Sequence, residues 1–82
     1  MQKFRQTAMN INELGIGKSA RIERYGVLND FIERLQELGL TPGTLVTLIR
    51  RAPFSGPLEI AYGHSRLALR PTESDMIFVT AV

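Results

Sequence analysis

The chain contains no cysteine and only one histidine. Without thiols there is no disulfide, no thiolate metal site and no cysteine nucleophile. No apolar run approaches the roughly 18 residues that a membrane-crossing helix requires. The first ten residues carry Lys3 and Arg5 but no apolar stretch, so a secretory signal is not expected. An excess of one charge is lacking too. Ten Lys and Arg stand against eight Asp and Glu, a net +2. That balance permits nucleic-acid binding without pointing to it. Aromatics are sparse, and RNA recognition stacks bases on aromatics placed among basic residues. Only Phe54, Tyr62 and Phe78 lie near the arginines, so no nucleic-acid partner is expected.

What remains is an 82-residue chain, 44% hydrophobic, with ordinary charge content. It fits one folded domain with a modest core. Residues 1–10 read as a polar N-terminal extension and residues 11–82 as the domain. The segment from Leu35 to Gly43 is the most informative. Leu35 and Leu38 share a helix face, and Gly39 stands where a helix stop needs a left-handed residue. Leu40 then folds back onto Leu35. Pro42-Gly43 fits the centre of a type II turn. Leu45 to Ile49 follow as a strand.

The helix reads from about Asp30 to Leu38, with Asn29 and Asp30 offering N-cap side chains and Asp30 and Glu33 spaced as a capping box. Phe31, Ile32, Leu35 and Leu38 form its apolar stripe. Strands are expected at Lys18–Tyr25, Thr44–Arg51, Leu58–Tyr62, Arg66–Arg70 and Met76–Val82. Gly63-His64-Ser65 reads as a hairpin loop and Pro71–Asp75 as a turn, at most one 3₁₀ turn. Ala52–Pro57 holds two prolines and a glycine and reads as a loop. Five short strands and one helix give a mostly β fold, a small and partly open β-barrel of the SH3-like kind.

The chemistry-bearing motifs are few. Gly17-Lys18-Ser19 resembles the tail of a phosphate-binding loop. Position 12 is Asn where that motif needs glycine, and a strand follows where it needs a helix. A turn is the expected reading. His64 would need ligand partners, and Glu59, Glu73 and Asp75 are the available carboxylates, with no spacing that marks a ligand set. His64 and Glu59 are the metal candidates, and an exposed hairpin histidine is the default. No catalytic constellation is visible, so an enzyme is not expected. Residues 50–70 hold four Arg against one Glu, and residues 29–39 hold three acids against one Arg. The domain is thus polar in charge, which can steer association. Phe54 sits at a loop tip where no periodicity demands an apolar side chain. It either serves an interface or folds back to cap the barrel.

Several of these segments together resemble one family. Leu35-x-x-Leu38-Gly39-Leu40-x-Pro42-Gly43 is followed by an apolar strand, then Ala52-Pro53 with Gly56-Pro57. Leu67-Ala68-Leu69-Arg70 and a closing Ile77-x-Val79 complete the pattern. From about Leu14 to Val82 the chain is similar to the ferrous iron transport protein A family. The resemblance implies an SH3-like barrel, a bacterial cytoplasmic location and an accessory role in ferrous iron uptake. The implied partner is ferrous iron transport protein B, the membrane transporter with a cytosolic GTPase domain. A homodimer and a divalent metal such as ferrous iron are compatible with it. The same fold resembles the C-terminal domain of metal-dependent repressors. The alternative is therefore a free-standing metal-sensing or peptide-binding module. On the transporter reading, the helix around Leu35 and the Pro53–Pro57 loop are the candidate docking surfaces. Phe54 stands at the loop tip, and Arg50 and Arg51 steer association.

Overall fold

The computed structural model describes residues 8–82. A two-residue strand, β1 (Met9–Asn10), runs into a 3₁₀ turn at Ile11–Glu13. Then come β2 (Ser19–Tyr25), α1 (Asp30–Glu37), β3 (Leu45–Arg51), β4 (Leu58–Tyr62) and β5 (Ser65–Leu69). The short helix α2 (Pro71–Ser74) and β6 (Ile77–Ala81) finish the chain. All pairings are antiparallel, in the order β1-β6-β2-β3-β4-β5. The sheet curls without closing. Mostly β and partly open is the architecture the sequence predicts; beyond the 3₁₀ turn at Ile11–Glu13, the additions are the strand β1 and the short helix α2.

Both additions sit where sequence periodicity is too short to read. Met9 and Asn10, expected in the N-terminal extension, pair with Val79 and Phe78 of β6. The rest of that extension, residues 1–7, lies outside the described residues. Pro71 opens α2 at its first turn, where proline's fixed φ suits a helix and its missing N–H costs nothing. Glu73 reaches back to accept the Arg70 N–H at 2.9 Å.

Alternation builds the core. Ala20 and Ile22 of β2, Val46 and Leu48 of β3, and Ile77 and Val79 of β6 point inward and are buried. Leu58 and Ile60 of β4 join Leu69 of β5 on the same side. Ile11, Leu14, Ile32, Leu35 and Leu40 fill the remaining volume. Each such side chain, fully buried, stabilises the fold by about 1.5–3 kcal/mol. Two bulges interrupt the ladders, between Ile22 and Arg24 in β2 and between Leu48 and Arg50 in β3. Phe78 is half-buried rather than part of the core, with the Arg24 guanidinium 4.2 Å above its ring.

Asn29, not Asp30, caps α1: its side chain accepts the Ile32 N–H at 2.9 Å. Asp30 is the first helical residue, so no capping box forms with Glu33. Both acids instead lie in the first turn, where the helix dipole favours them. At the other end, Leu40 N donates to Leu35 O and Gly39 N to Gln36 O, both at 3.0 Å. With Gly39 at φ 103° this is the Schellman stop that the sequence predicts. Thr44 N to Thr41 O at 3.0 Å closes the turn around Pro42-Gly43. Tyr25 secures the corner by donating its hydroxyl to the Leu40 carbonyl. Burial, with a smaller contribution from Tyr62, pushes the Tyr25 hydroxyl up to about 12.

The 3₁₀ turn and α2 are tied by a polar cluster. Buried Ser74 donates to Asn12 Oδ1 at 2.5 Å, and Asn12 Nδ2 donates to Asp75 Oδ1 at 2.6 Å. Asn10 Nδ2 reaches the Asp75 carbonyl at 2.7 Å.

Candidate functional site

The loop between β3 and β4 is the feature that folding alone does not explain. Ala52 N donates to Pro57 O at 3.0 Å and closes its base. Gly56 N donates to Pro53 O at 3.2 Å and closes its tip. Between them Phe54 and Ser55 both lie in the left-handed region, at φ 58° and 59°. Two successive left-handed residues make a type I′ turn, a position that favours Asn-Gly. Phe there is costly, on the order of 1–2 kcal/mol. Its ring offsets none of that cost by burial, since Phe54 is 101% exposed. Of the two expectations for this side chain, the exposed one holds and the barrel cap does not. Gly56 is needed for another reason: a Cβ there would stand 2.7 Å from that of Ala52.

A cleft of about 270 Å³ lies beside the loop, bounded by Asn12, Arg51, Ser55, Leu58 and Pro71. Arg51 is built into its wall. One of its guanidinium nitrogens donates to Asn12 O at 2.9 Å and to Leu14 O at 3.0 Å. Arg51 therefore braces the 3₁₀ turn against β3, and sequence pattern alone offers no sign of this. Arg50 pairs with Glu59 at 3.1 Å, and Arg66 approaches the other carboxylate oxygen at 3.4 Å. A larger cleft of about 480 Å³ lies by Arg21, Gly43, Thr80 and Val82. Its polar groups are occupied: Arg21 donates to Gly43 O at 3.0 Å and Thr80 to Glu23 at 2.8 Å. It presents no converging set of free groups.

The sequence-derived candidates separate on this frame. Pro53, Phe54 and Pro57 are exposed together on one loop, with Arg50 and Arg51 at the end of the strand that feeds it. Leu35 is elsewhere and is 2% exposed, inside the core. Its position in the Schellman stop turns it inward. The leucine that α1 leaves half-open is Leu38, at 51%. His64 is exposed at the β4–β5 turn, while Glu59 is engaged by two arginines. Asp75 is held by Asn12 and Glu73 by the Arg70 amide. Among the described residues no three or more His, Asp or Glu side chains gather as a metal cage. Gly17 is a left-handed turn residue and Ser19 begins β2, so the phosphate-loop resemblance ends there.

Comparison with known proteins places this geometry in a family. A family model for the FeoA domain matches residues 9–81. No curated protein is significantly similar to the chain. Among solved structures, iron(II) transport protein A from Clostridium thermocellum is 32% identical, with a TM-score of 0.83. The match covers 90% of this chain and 46% of that one, so this chain spans about half of that relative's length. FeoA from Stenotrophomonas maltophilia is 33% identical, covering 88% of this chain and 89% of that one, at a TM-score of 0.76. That protein was crystallised with zinc. It is described as a prokaryotic SH3 domain protein and put forward as an activating factor for ferrous iron transport. A manganese-dependent transcriptional repressor shares the fold at 15% identity and a TM-score of 0.83, over 99% of this chain and 45% of that one. No helix among the described residues is long and apolar enough to cross a membrane. The fold is SH3-like, and the chain belongs to the FeoA domain family, which is associated with ferrous iron transport.

Proposed function

We propose that this protein is a non-enzymatic accessory factor of ferrous iron uptake. It acts in the cytoplasm, at the inner face of the membrane, by docking on the cytosolic part of the transporter ferrous iron transport protein B. The observation that carries the reading is Phe54. A fully exposed aromatic stands on a turn that disfavours it, against both solvation and backbone preference. Interfaces use such rigid aromatic anchors, and backbone strain of this kind concentrates at functional sites. Pro53 and Pro57 limit the entropy lost when the loop is held by a partner. Arg50 and Arg51 add positive charge beside it, which steers encounter with an acidic surface.

The test is binding of the isolated cytosolic GTPase region to the protein, measured by biolayer interferometry. Phe54→Ala weakens the complex about tenfold or more through loss of an anchor. Arg50→Glu slows association at low salt with little change in dissociation. Arg51 is unsuited to that arm because it braces the fold. Equal affinity for the wild type and Phe54→Ala would remove the loop from the interface. No binding at all would remove the transporter reading.

A second reading has one observation in its favour, the repressor fold that covers nearly the whole chain. On it the protein is a free-standing module that binds a divalent cation or a peptide. Calorimetric titration with ferrous iron, manganese and zinc under anaerobic conditions distinguishes the two. A metal-sensing module binds in the micromolar range or tighter, while an accessory factor needs no metal site of its own.

A further inference from the structure

The two edges of the sheet are guarded differently. β1 is two residues long and passes straight into a 3₁₀ turn, too short to template another strand. β5 is five residues long, pairs with β4 alone, and carries neither proline nor bulge. Its two-residue turn makes Tyr62–Ser65 a hydrogen-bonded pair, and the ladder alternates from there. Ser65, Leu67 and Leu69 therefore aim their backbone groups at β4, while Arg66 and Ala68 aim theirs outward. The next outward position, Arg70, is closed. Its N–H donates to Glu73 and its carbonyl accepts the amides of Glu73 and Ser74, at 2.9 and 2.8 Å. Among the described residues no strand covers Arg66 and Ala68.

The side chains define what would fit there. Arg66 and Ala68 share the outer face with Ala61, Glu59 and Arg50. Arg50 and Arg66 divide the single Glu59 carboxylate, and their side chains remain 78% and 66% exposed. The trio carries a net positive charge, with Arg66 on the edge strand itself and Arg50 two strands in on β3, and Ala68 adds no bulk. On the opposite face Leu67 lies half-buried against the core, with its flank at the edge.

We infer that the free edge of β5 is a strand-addition site for an extended acidic–apolar–acidic segment of a partner protein. The incoming strand takes up the four outward backbone groups of Arg66 and Ala68. Its two acidic side chains fall on the outer face, one opposite Arg66 and one diagonal to it across from Ala68, and its apolar side chain covers Leu67. A second copy of this chain fits less well. Pairing β5 with itself about Leu67 puts both Arg66 side chains on one face at a diagonal spacing of about 7–8 Å, adding positive charge to positive charge. The site lies on β5, not on the Phe54 loop; its Ala68 end faces Glu59, near where the loop joins β4, and Arg50 borders both, but its backbone groups do not depend on the identity of the transporter.

The probe is an end-blocked hexapeptide of alternating Glu and Val, titrated into the isotopically labelled full chain and followed by amide NMR. The expected result is shift changes centred on Arg66 and Ala68, with slowed hydrogen exchange at those two amides. Ala68→Pro removes one outward N–H without touching the β4 ladder and weakens binding about tenfold, the worth of one backbone hydrogen bond. Arg66→Glu weakens it by a similar factor and keeps every backbone donor. It carries the test should the proline variant fail to fold. A Lys–Val hexapeptide of equal length does not bind. The inference is overturned if Arg66 and Ala68 do not respond at millimolar Glu–Val peptide, if the shifts centre elsewhere, or if the Lys–Val peptide binds as well. A dimer in sedimentation that Ala68→Pro dissociates would also overturn it, in favour of self-pairing.

Discussion

Two tight corners of this domain meet the same backbone demand with opposite residues. At the end of α1, Gly39 and Gly43 take the left-handed positions, at φ 103° and 94°. At the tip of the β3–β4 loop, Phe54 and Ser55 take them, at 58° and 59°. The first corner is built for stability, with Leu35 and Leu40 buried and Tyr25 clamping Leu40. The second gives up stability to hold an aromatic ring in solvent. Where a chain uses glycine, only the backbone shape is needed. Where it places Phe in that conformation, the backbone preference is overridden and no burial of the ring offsets the cost.

That contrast can be broken most forcefully at the first corner. Leu35→Ala empties a core position and destabilises the protein by about 2–5 kcal/mol in a urea denaturation. A cost within a few tenths of zero would mean the helix is not anchored as described. Gly39→Ala tests the backbone alone, because its new Cβ would meet only Tyr62, at an ordinary 3.8 Å. The expected loss is about 1–2 kcal/mol, all of it from the left-handed conformation. At the second corner the sign reverses. Phe54→Asn with Ser55→Gly installs the preferred type I′ pair and stabilises the fold by about 1 kcal/mol. The same double variant loses partner affinity, so stability and binding move in opposite directions. If it destabilises instead, the Phe54 turn is not strained.

The smallest effect concerns the Tyr25 clamp. Its hydroxyl ionises more readily in the unfolded chain than in the fold, where it is pushed up to about 12. The unfolded state thus releases this proton first as pH rises. The contribution is fully present below pH ~10 and is lost between ~10 and ~12. Thermal melts across that range should show a steeper decline for the wild type than for Tyr25→Phe. Parallel curves would mean that other groups control the alkaline limb.

The contrast between the corners also explains what the sequence makes legible. Glycine, proline and leucine spacing carries the Schellman stop, the type II turn and the strands, because each of those residues has few other reasons to stand where it does. The same logic cannot find the Phe54 turn, since its conformation contradicts the preference of its residues. Phe54 and the two prolines are visible as candidates only because an apolar residue stands out on a polar loop. Leu35 misleads for the opposite reason: a helical stripe marks the buried face, and nothing local says which leucine stays outside. Arg51 reads as a free cation, yet its partners are carbonyls nearly forty residues away. Backbone acceptors leave no trace in sequence. The unequal sheet edges are equally hidden, because they depend on strand order.

The hydrogen bonds of Asn10 and Asn12 to Ser74 and Asp75 join residues separated by 62, 63 and 65 positions. Their sequence separation sets a time order during synthesis. While the ribosome adds residues one by one, Asn10 and Asn12 wait for partners made 62 to 65 residues later. A nascent chain halted after Arg70 contains the sequence of every strand from β1 to β5. It still lacks β6 and the two residues that hold Asn10 and Asn12, so the barrel cannot be fastened until residues 74–81 have been made.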